Sequence, residues 1–454
     1  MDFSRLVESQ RRHHAGGHTR SEESRRRSLE GLLAAIDAHE AAIFDALERD
    51  LGKEPVEAFL SEVAFVRGEI RHALRHLRSW MKPSRRKSPL LAWPARAEVV
   101  RDPAGVVLIL GPWNYPFQLV LGPLVAAVAA GNAAVVKTSE LAPATAAAVA
   151  DLIADAFDPA HVTVVQGGPE VAMALQEQRF DHVFFTGSTA TGRKVMAAAA
   201  RHLTPVTLEL GGKCPVLVFP SRDGDLETIA RRIAWGKRMN AGQTCVAPDH
   251  VWVERRHRDA LVKALAAAFE QFGPAGKIIN AAHFDRLRGY LGDGRVVHGG
   301  EPDAVRRVFP PTILTEVPRD AAVMREEIFG PVLPVLACDG PDEALAAIAR
   351  APSPLAVYLF TGDRDLIRRT ADATRSGGIC VNDVILQITG NELPFGGVGD
   401  SGMGRYRGKA GFDTFTRERS ILRRTLWPDF PVRYPSARQT LELVKKIPAA
   451  FTSR

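Results

Sequence analysis

Val106-Val-Leu-Ile-Leu110, Gly111-Pro-Trp-Asn-Tyr-Pro-Phe117, the Ala-rich stretch from Leu119 to Ala130 and Ala134-Val-Val136 stand in succession. An unbroken apolar run closed by a Gly-Pro turn reads as a strand buried on both faces. The Ala-rich stretch has the length of a helix, and the next apolar run reads as a second buried strand. Strand, crossover helix and parallel strand form a unit whose helices must cover both faces of a sheet. A helical stretch from Thr145 to Phe157 and two further runs, Val162-Thr-Val-Val165 and Val183-Phe-Phe185, continue the alternation. The fold class is therefore α/β, with a doubly wound, parallel sheet.

Outward from this block, a second alternation begins near Val216 and extends to about Asn382, which predicts a second doubly wound α/β domain. Towards the N-terminus, Phe3 to Trp80 reads as helices, because Leu29, Leu32, Leu33, Ile36, Ile43 and Leu47 recur at spacings of three and four. Pro83 to Pro94, rich in Pro and basic residues, reads as an exposed connection or a projecting hairpin. A length of 454 residues agrees with two large domains and a smaller appendage.

Hydrophobic residues make up 46% of the chain and charged residues 24%, an ordinary globular balance that excludes a disordered chain. The net charge of +7 is modest, and the short basic clusters Arg25-Arg26-Arg27 and Arg85-Arg86-Lys87 read as solvated surface. No interleaved aromatics accompany them, which argues against nucleic acid as a partner. Cys214, Cys245, Cys338 and Cys380 are far apart, without a C-x-x-C pair. Few cysteines and a polar, Arg- and His-rich N-terminus without a signal peptide predict a cytoplasmic protein. The longest apolar runs are too short for a membrane span.

Six segments offer chemistry. In Asn240-Ala-Gly-Gln-Thr-Cys245, Gly242 can take turn conformations closed to other residues and so present the thiol at the mouth of a site. A thiolate adds to an aldehyde as a thiohemiacetal, whose alkoxide needs preorganised donors; the alternative is a small buried hydrophobe. In Leu208-Glu209-Leu-Gly-Gly-Lys213 a carboxyl in an apolar strand end would have its pKa raised, which suits a general base for water; the alternative is a pair with Lys213. Asn114, after the Val106 to Leu110 strand, stands where open α/β sheets bind ligands and can donate to an oxyanion, or else cap the next helix. Gly187-Ser188, in a strand-to-helix turn, can hold a phosphate. Lys137 to Glu140 and Glu326 to Pro331 offer polar groups for ribose hydroxyls or form surface charge pairs.

Taken in order, Pro112-Trp-Asn114, Lys137-x-x-Glu140, Thr186-Gly-Ser188, Leu208-Glu-Leu-Gly-Gly-Lys213, Gly242-Gln-x-Cys245 and Glu327-x-Phe-Gly-Pro331 resemble the aldehyde dehydrogenase superfamily. Tyr115-Pro-Phe117, Val381-Asn-Asp-Val384, Leu393 to Gly399 and Ser401-Gly-Met-Gly404 look like its class 3 branch, as does the short N-terminus. The resemblance implies a Rossmann-like NAD(P)-binding domain over 1–82 and 103–211, a catalytic domain over 212–400 and a bridging arm over 83–102 and 415–454. It makes Cys245 the nucleophile, Asn114 with the Cys245 amide the oxyanion hole, and Glu209 the base that hydrolyses the thioester to a carboxylic acid. For the cofactor it implies Lys137 and Glu140 at the adenosine ribose, Gly187 and Ser188 at the pyrophosphate, and Glu327, Phe329 and Trp113 around the nicotinamide half. Tyr115, Leu119, Thr244 and Phe395 would line the tunnel of an aliphatic or aromatic aldehyde. Glu140 at the sugar favours NAD by repelling a 2′-phosphate, while class 3 likeness leaves NADP open. Likeness also implies a homodimer, bridged near Lys82 to Asp102 and Arg419 to Trp427.

The chain departs from the class 3 pattern around the substrate: Gln387 stands where His is frequent, Arg407 replaces the frequent His of Tyr-His-Gly, and Asp400 replaces a Ser. Thr138 replaces a common Pro. Transfer of the acyl group to coenzyme A is disfavoured, because branches that do this generally lack the carboxylate at Glu209. A non-catalytic relative is disfavoured because every expected functional residue is present. A metal enzyme is disfavoured too: His13, His14, His18, His72 and His76 have no carboxylate at matching sequence spacing and no H-E-x-x-H.

Overall fold

The computed structural model describes residues 2–88, 92–221, 225–429 and 434. Val106–Leu110 is buried along its whole length and pairs in parallel with Ala133–Lys137 on one side and His182–Thr186 on the other. Val162–Val165 and Val206–Glu209 extend this sheet in parallel, and the two-residue strand Gly402–Met403 closes it as a sixth, antiparallel member beside Val206–Glu209. Every residue of the crossover helix Gln118–Ala130 is buried, since the N-terminal helices Glu22–Leu51 and Ala64–Met81 cover the face turned away from the sheet. An all-round apolar helix needs such cover.

The second alternation forms a seven-stranded sheet in the order Arg295–His298, Thr312–Thr315, Val332–Cys338, His250–Glu254, Pro215–Val218, Ala356–Phe360 and Gly378–Val381. Only its first strand is antiparallel to its neighbour. The Pro- and Arg-rich segment is a hairpin, with Ser84–Arg86 antiparallel to Ala95–Pro103, and Thr416–Arg424 pairs along the whole of the latter strand to make a three-stranded sheet. Residues 89–91, 430–433 and 435–454 of the expected arm lie outside the described residues.

One reading of the basic clusters is corrected. Arg25 is not solvated; it is 5% exposed, and its guanidinium donates to Ala129 O and Thr19 O at 3.1 Å each. It thereby satisfies a carbonyl at the C-terminus of the buried helix, where the chain leaves through Gly131 at φ +87. A β-carbon at Gly131 would come within 2.6 Å of Arg25, so glycine is needed there for space as well as for conformation. Burial lowers the guanidinium pKa to about 10. The helical spacing that buries Leu29 and Leu32 also turns Arg25 inward, while Arg27 remains exposed.

Candidate active site

Parallel register brings the carboxyl ends of four strands level, pairing Leu110 with Lys137, Leu110 with Phe185, and Thr186 with Glu209. Open α/β sheets place ligands outside this edge. Ser188, exposed, caps the helix Thr189–Ala200 by accepting from Thr191 N, so the first turn of that helix points its amides out of the strand ends. Lys137 Nζ lies 2.7 Å from Glu140 Oε2, with the lysine buried and the carboxylate exposed. Thr138 Oγ1 and Thr186 Oγ1 are buried at this edge without a partner among the described residues. A helix N-terminus, an exposed carboxylate and two orphaned hydroxyls fit a polar, anionic dinucleotide. Asp400 fastens the segment from the far side: its carbonyl accepts from Thr189 Oγ1 at 2.9 Å and its carboxylate pairs with Arg193 at 2.8 Å.

The thiol loop follows the helix Leu226–Arg238 through three consecutive left-handed residues, Asn240 (φ +49), Ala241 (φ +52) and Gly242 (φ +72). Two of these are not glycine, and such a conformation holds only where neighbours over-determine it. Asn240 N donates to Glu57 at 2.6 Å, and Asn240 Nδ2 donates to Asn114 O at 2.8 Å. Gln243 Nε2 donates to Asn240 O and Lys277 O, while its Oε1 accepts from Ile279 N at 3.0 Å. Gly242 has a second constraint, because a β-carbon there would fall 2.3 Å from Gly330 O. The loop carrying Cys245 is thus pressed against the segment carrying Glu327 and Phe329. Asn114 does not cap the helix; its Nδ2 donates to Gln243 O at 3.0 Å, leaving its second N–H for another acceptor beside the thiol loop.

Cys245 is half-buried, and burial, with the Glu327 and Glu209 carboxylates, pushes its thiol up to about 12; Arg407 acts in the opposite sense. Glu209 does not pair with Lys213, which instead meets Asp249 at 2.5 Å. Both oxygens of the Glu209 carboxyl are buried without a partner among the described residues, and burial raises its pKa well above the ordinary value, against Arg407 and Arg405. Glu327 packs on Gly211, where a β-carbon would lie 2.1 Å from its carboxylate, and burial pushes it to about 8. A thiol near 12 is about one part in ten thousand thiolate at pH 8. Iodoacetamide labelling of Cys245 in the cofactor-free protein should therefore rise with pH by up to about tenfold per unit from pH 7. Above pH 8 ionised Glu327 should flatten that slope, and Glu327→Gln should restore it, as peptide mass spectrometry would read.

Beneath the site lies a pair that the sequence did not disclose. Lys53 and Glu62 are fully buried and 2.5 Å apart. Glu62 accepts from Phe117 N and Gln118 N, while Lys53 donates to Asn114 O at 3.3 Å and sits 3.9 Å over the Tyr115 ring. Glu62 is delivered by the π-helical turn Phe59–Val63, and no motif spacing announces it. Glu62→Gln should cost about 3–5 kcal/mol by stranding the lysine charge, visible as a lowered thermal midpoint. Tyr115 OH and Thr244 Oγ1 are 2.7 Å apart, Leu119 is buried nearby in chain, and Phe395 packs on the cores of both large sheets. Trp113 and Phe329 meet edge to face at 5.3 Å. The fold also brings Glu392 to His72 and His76, their ligand atoms within 4.8 Å, a carboxylate that sequence spacing did not reveal.

A thiol, a carboxyl unpartnered among the described residues and an amide donor thus stand beside the carboxyl edge of a doubly wound sheet, where a dinucleotide-using enzyme of the α/β class would place its site. The aldehyde dehydrogenase family model matches residues 1–421. The chain is 44% identical to aldehyde dehydrogenase family 3 member H1 of Arabidopsis thaliana, covering 98% of this chain and 95% of that one. It is 46% identical to family 3 member B1 of Rattus norvegicus, covering 90% and 89%. A solved structure described as the substrate-bound state of Staphylococcus aureus AldH superposes with a TM-score of 0.95 at 38% identity, covering 98% of this chain and 99% of that one. The chain belongs to the aldehyde dehydrogenase family. It is an NAD(P)-dependent enzyme that oxidises an aldehyde to the carboxylic acid.

Proposed function

We propose that Cys245 is the nucleophile of this oxidation, Asn114 the oxyanion donor and Glu209 the base that completes it. The thiolate forms a C–S bond to the aldehyde carbon, and the carbonyl oxygen becomes an alkoxide that the second N–H of Asn114 and the Cys245 amide stabilise. When bound, NAD(P) supplies the two-electron acceptor for the hydride that this adduct releases. Lys137 and Glu140 would hold its adenosine ribose, Gly187 and Ser188 its pyrophosphate, and Glu327, Phe329 and Trp113 its nicotinamide half. Glu209 takes a proton from water, whose oxygen attacks the thioester carbon and releases the Cys245 sulfur and the acid. The observation that carries this reading is the Glu209 carboxyl, buried with both oxygens unpartnered among the described residues beside a strained thiol loop.

We further infer a cytoplasmic homodimer, without membrane or nucleic-acid partners, organised in the three parts expected from sequence: 1–82 with 103–211, 212–400, and an arm of 83–102 with 415–454. No described helix is long and apolar enough to cross a membrane. Leu422, Leu426 and Trp427 are 54%, 97% and 80% exposed on or beside the arm sheet, apolar surface that a second copy would cover. The test pairs sedimentation with steady-state assays of aliphatic and aromatic aldehydes against NAD and NADP. A dimer releasing free acid is expected. A monomer would overturn the assembly, and acyl-CoA as the main product when coenzyme A is added would overturn the hydrolytic role of Glu209.

A further inference from the structure

We propose that Arg407 makes this enzyme selective for aldehydes that carry a carboxylate, pairing with that group while the aldehyde carbon reaches Cys245; the inference rests on the site assignment above. Arg407 is 2% exposed, and its Nε and Nη1 are buried with no hydrogen-bond partner among the described residues. Gln118, with its amide turned to satisfy both neighbours, accepts from Nη2 at 3.2 Å. Otherwise the guanidinium is enclosed by aromatic rings, 3.8 Å from the centre of Phe65 and 5.4 Å from those of Phe395 and Tyr406. Among the described residues its guanidinium enters no ion pair, although the buried carboxyls of Glu69 and Glu209 stand near enough to feel its charge.

A guanidinium is always charged, and burying its N–H groups without acceptors is costly. Here the backbone is strained as well, since Arg407 is held at φ +83. Such features collect where a ligand completes the arrangement. The guanidinium bears electrostatically on both Cys245 and Glu209 and adjoins Phe395, so a group paired with it shares the site of the reacting carbon. Phe65, whose ring carries the guanidinium, also lines a cleft of about 470 Å³ bordered by His72, Arg75, His76 and the single acid Glu392. Nη2 carries two N–H groups, so with one given to Gln118 the other can pair with either Nε or Nη1 to donate to both oxygens of a carboxylate. A purely hydrocarbon aldehyde would leave these N–H groups without an acceptor.

The test compares paired aldehydes of similar length, 5-oxopentanoate with pentanal and 4-carboxybenzaldehyde with benzaldehyde, at saturating cofactor. The acid of a pair should have the higher kcat/KM by at least about tenfold, and Arg407→Leu should reduce that preference at least about tenfold while Arg407→Lys keeps part of it. Should the leucine variant fold poorly, inhibition of the native enzyme decides instead: glutarate should compete with the aldehyde at least about tenfold more tightly than pentanoate. Equal or lower efficiency with the acids, equal inhibition, or a preference untouched by Arg407→Leu would overturn the inference. In those cases Cys245-dependent oxidation of the neutral aldehydes would leave the site assignment standing. Absence of oxidation of every aldehyde would sink both.

Discussion

Replacing Cys245 by alanine is expected to lower kcat/KM for any oxidised aldehyde by at least about four orders of magnitude, because the covalent route ends with the nucleophile. The neighbouring thiol offers no rescue. Cys214 is buried, its sulfur donates to Cys245 O at 3.4 Å and accepts from Ala356 N at 3.3 Å, and burial raises its pKa well above the ordinary value. Cys338 and Cys380 lie on strands or strand ends of the second sheet. The loop conformation is set by Asn240, Gly242 and Gln243 and not by the thiol, so the alanine variant should melt close to the native protein. Stopped-flow formation of reduced nicotinamide checks the effect, and a residual rate within about tenfold of the native enzyme would rule out Cys245 as the nucleophile.

Glu209→Gln should separate the two halves of the cycle. Formation of the acyl-enzyme survives, giving a burst of about one equivalent of reduced nicotinamide, while steady turnover falls by about 10²- to 10⁴-fold for want of a base. A second consequence concerns stability. The native carboxyl keeps its proton at pH values where the unfolded chain, with an ordinary pKa of 4.5, has lost it. The native state then binds more protons than the unfolded one, and stability falls as pH rises from about 4.5 towards the raised native value. Glutamine does not titrate, so the variant should be more stable than the native protein, by a margin that grows with pH over this window. Chemical denaturation at pH 5 and pH 8 measures it.

Much of this architecture could be read from residue pattern because local and tertiary demands coincide. Val106–Leu110 is apolar at every position and is buried at every position. The ends of the predicted strands and helices moved by only a residue or two, as for Gln118–Ala130 against an expected start at Leu119. The candidate site residues stand out through ordered motifs, not through any one of them: Glu209 alone could equally have paired with Lys213, and only the fold assigns Lys213 to Asp249. What stayed hidden depends on long-range partners. Glu62 and Lys53 look like helix-surface charges until Phe117 N, Gln118 N and Asn114 O are brought to them. Arg25 read as solvated because a basic triplet does not tell which member faces a helix terminus. Arg407 was visible as a departure from pattern, while the absence of hydrogen-bond partners for its Nε and Nη1 among the described residues became visible only from the packing of Phe65, Phe395 and Tyr406 around it.

In the proposed cycle a covalent acyl group on Cys245 awaits water held by Glu209. Its most direct test is acid quenching of Glu209→Gln during turnover with aldehyde and NAD, followed by peptide mass spectrometry. The account predicts a thioester mass increment equal to the acyl group, confined to the peptide containing Cys245 and labile to hydroxylamine. An unmodified Cys245 peptide during a full nicotinamide burst, or an acyl group on another residue, would contradict it.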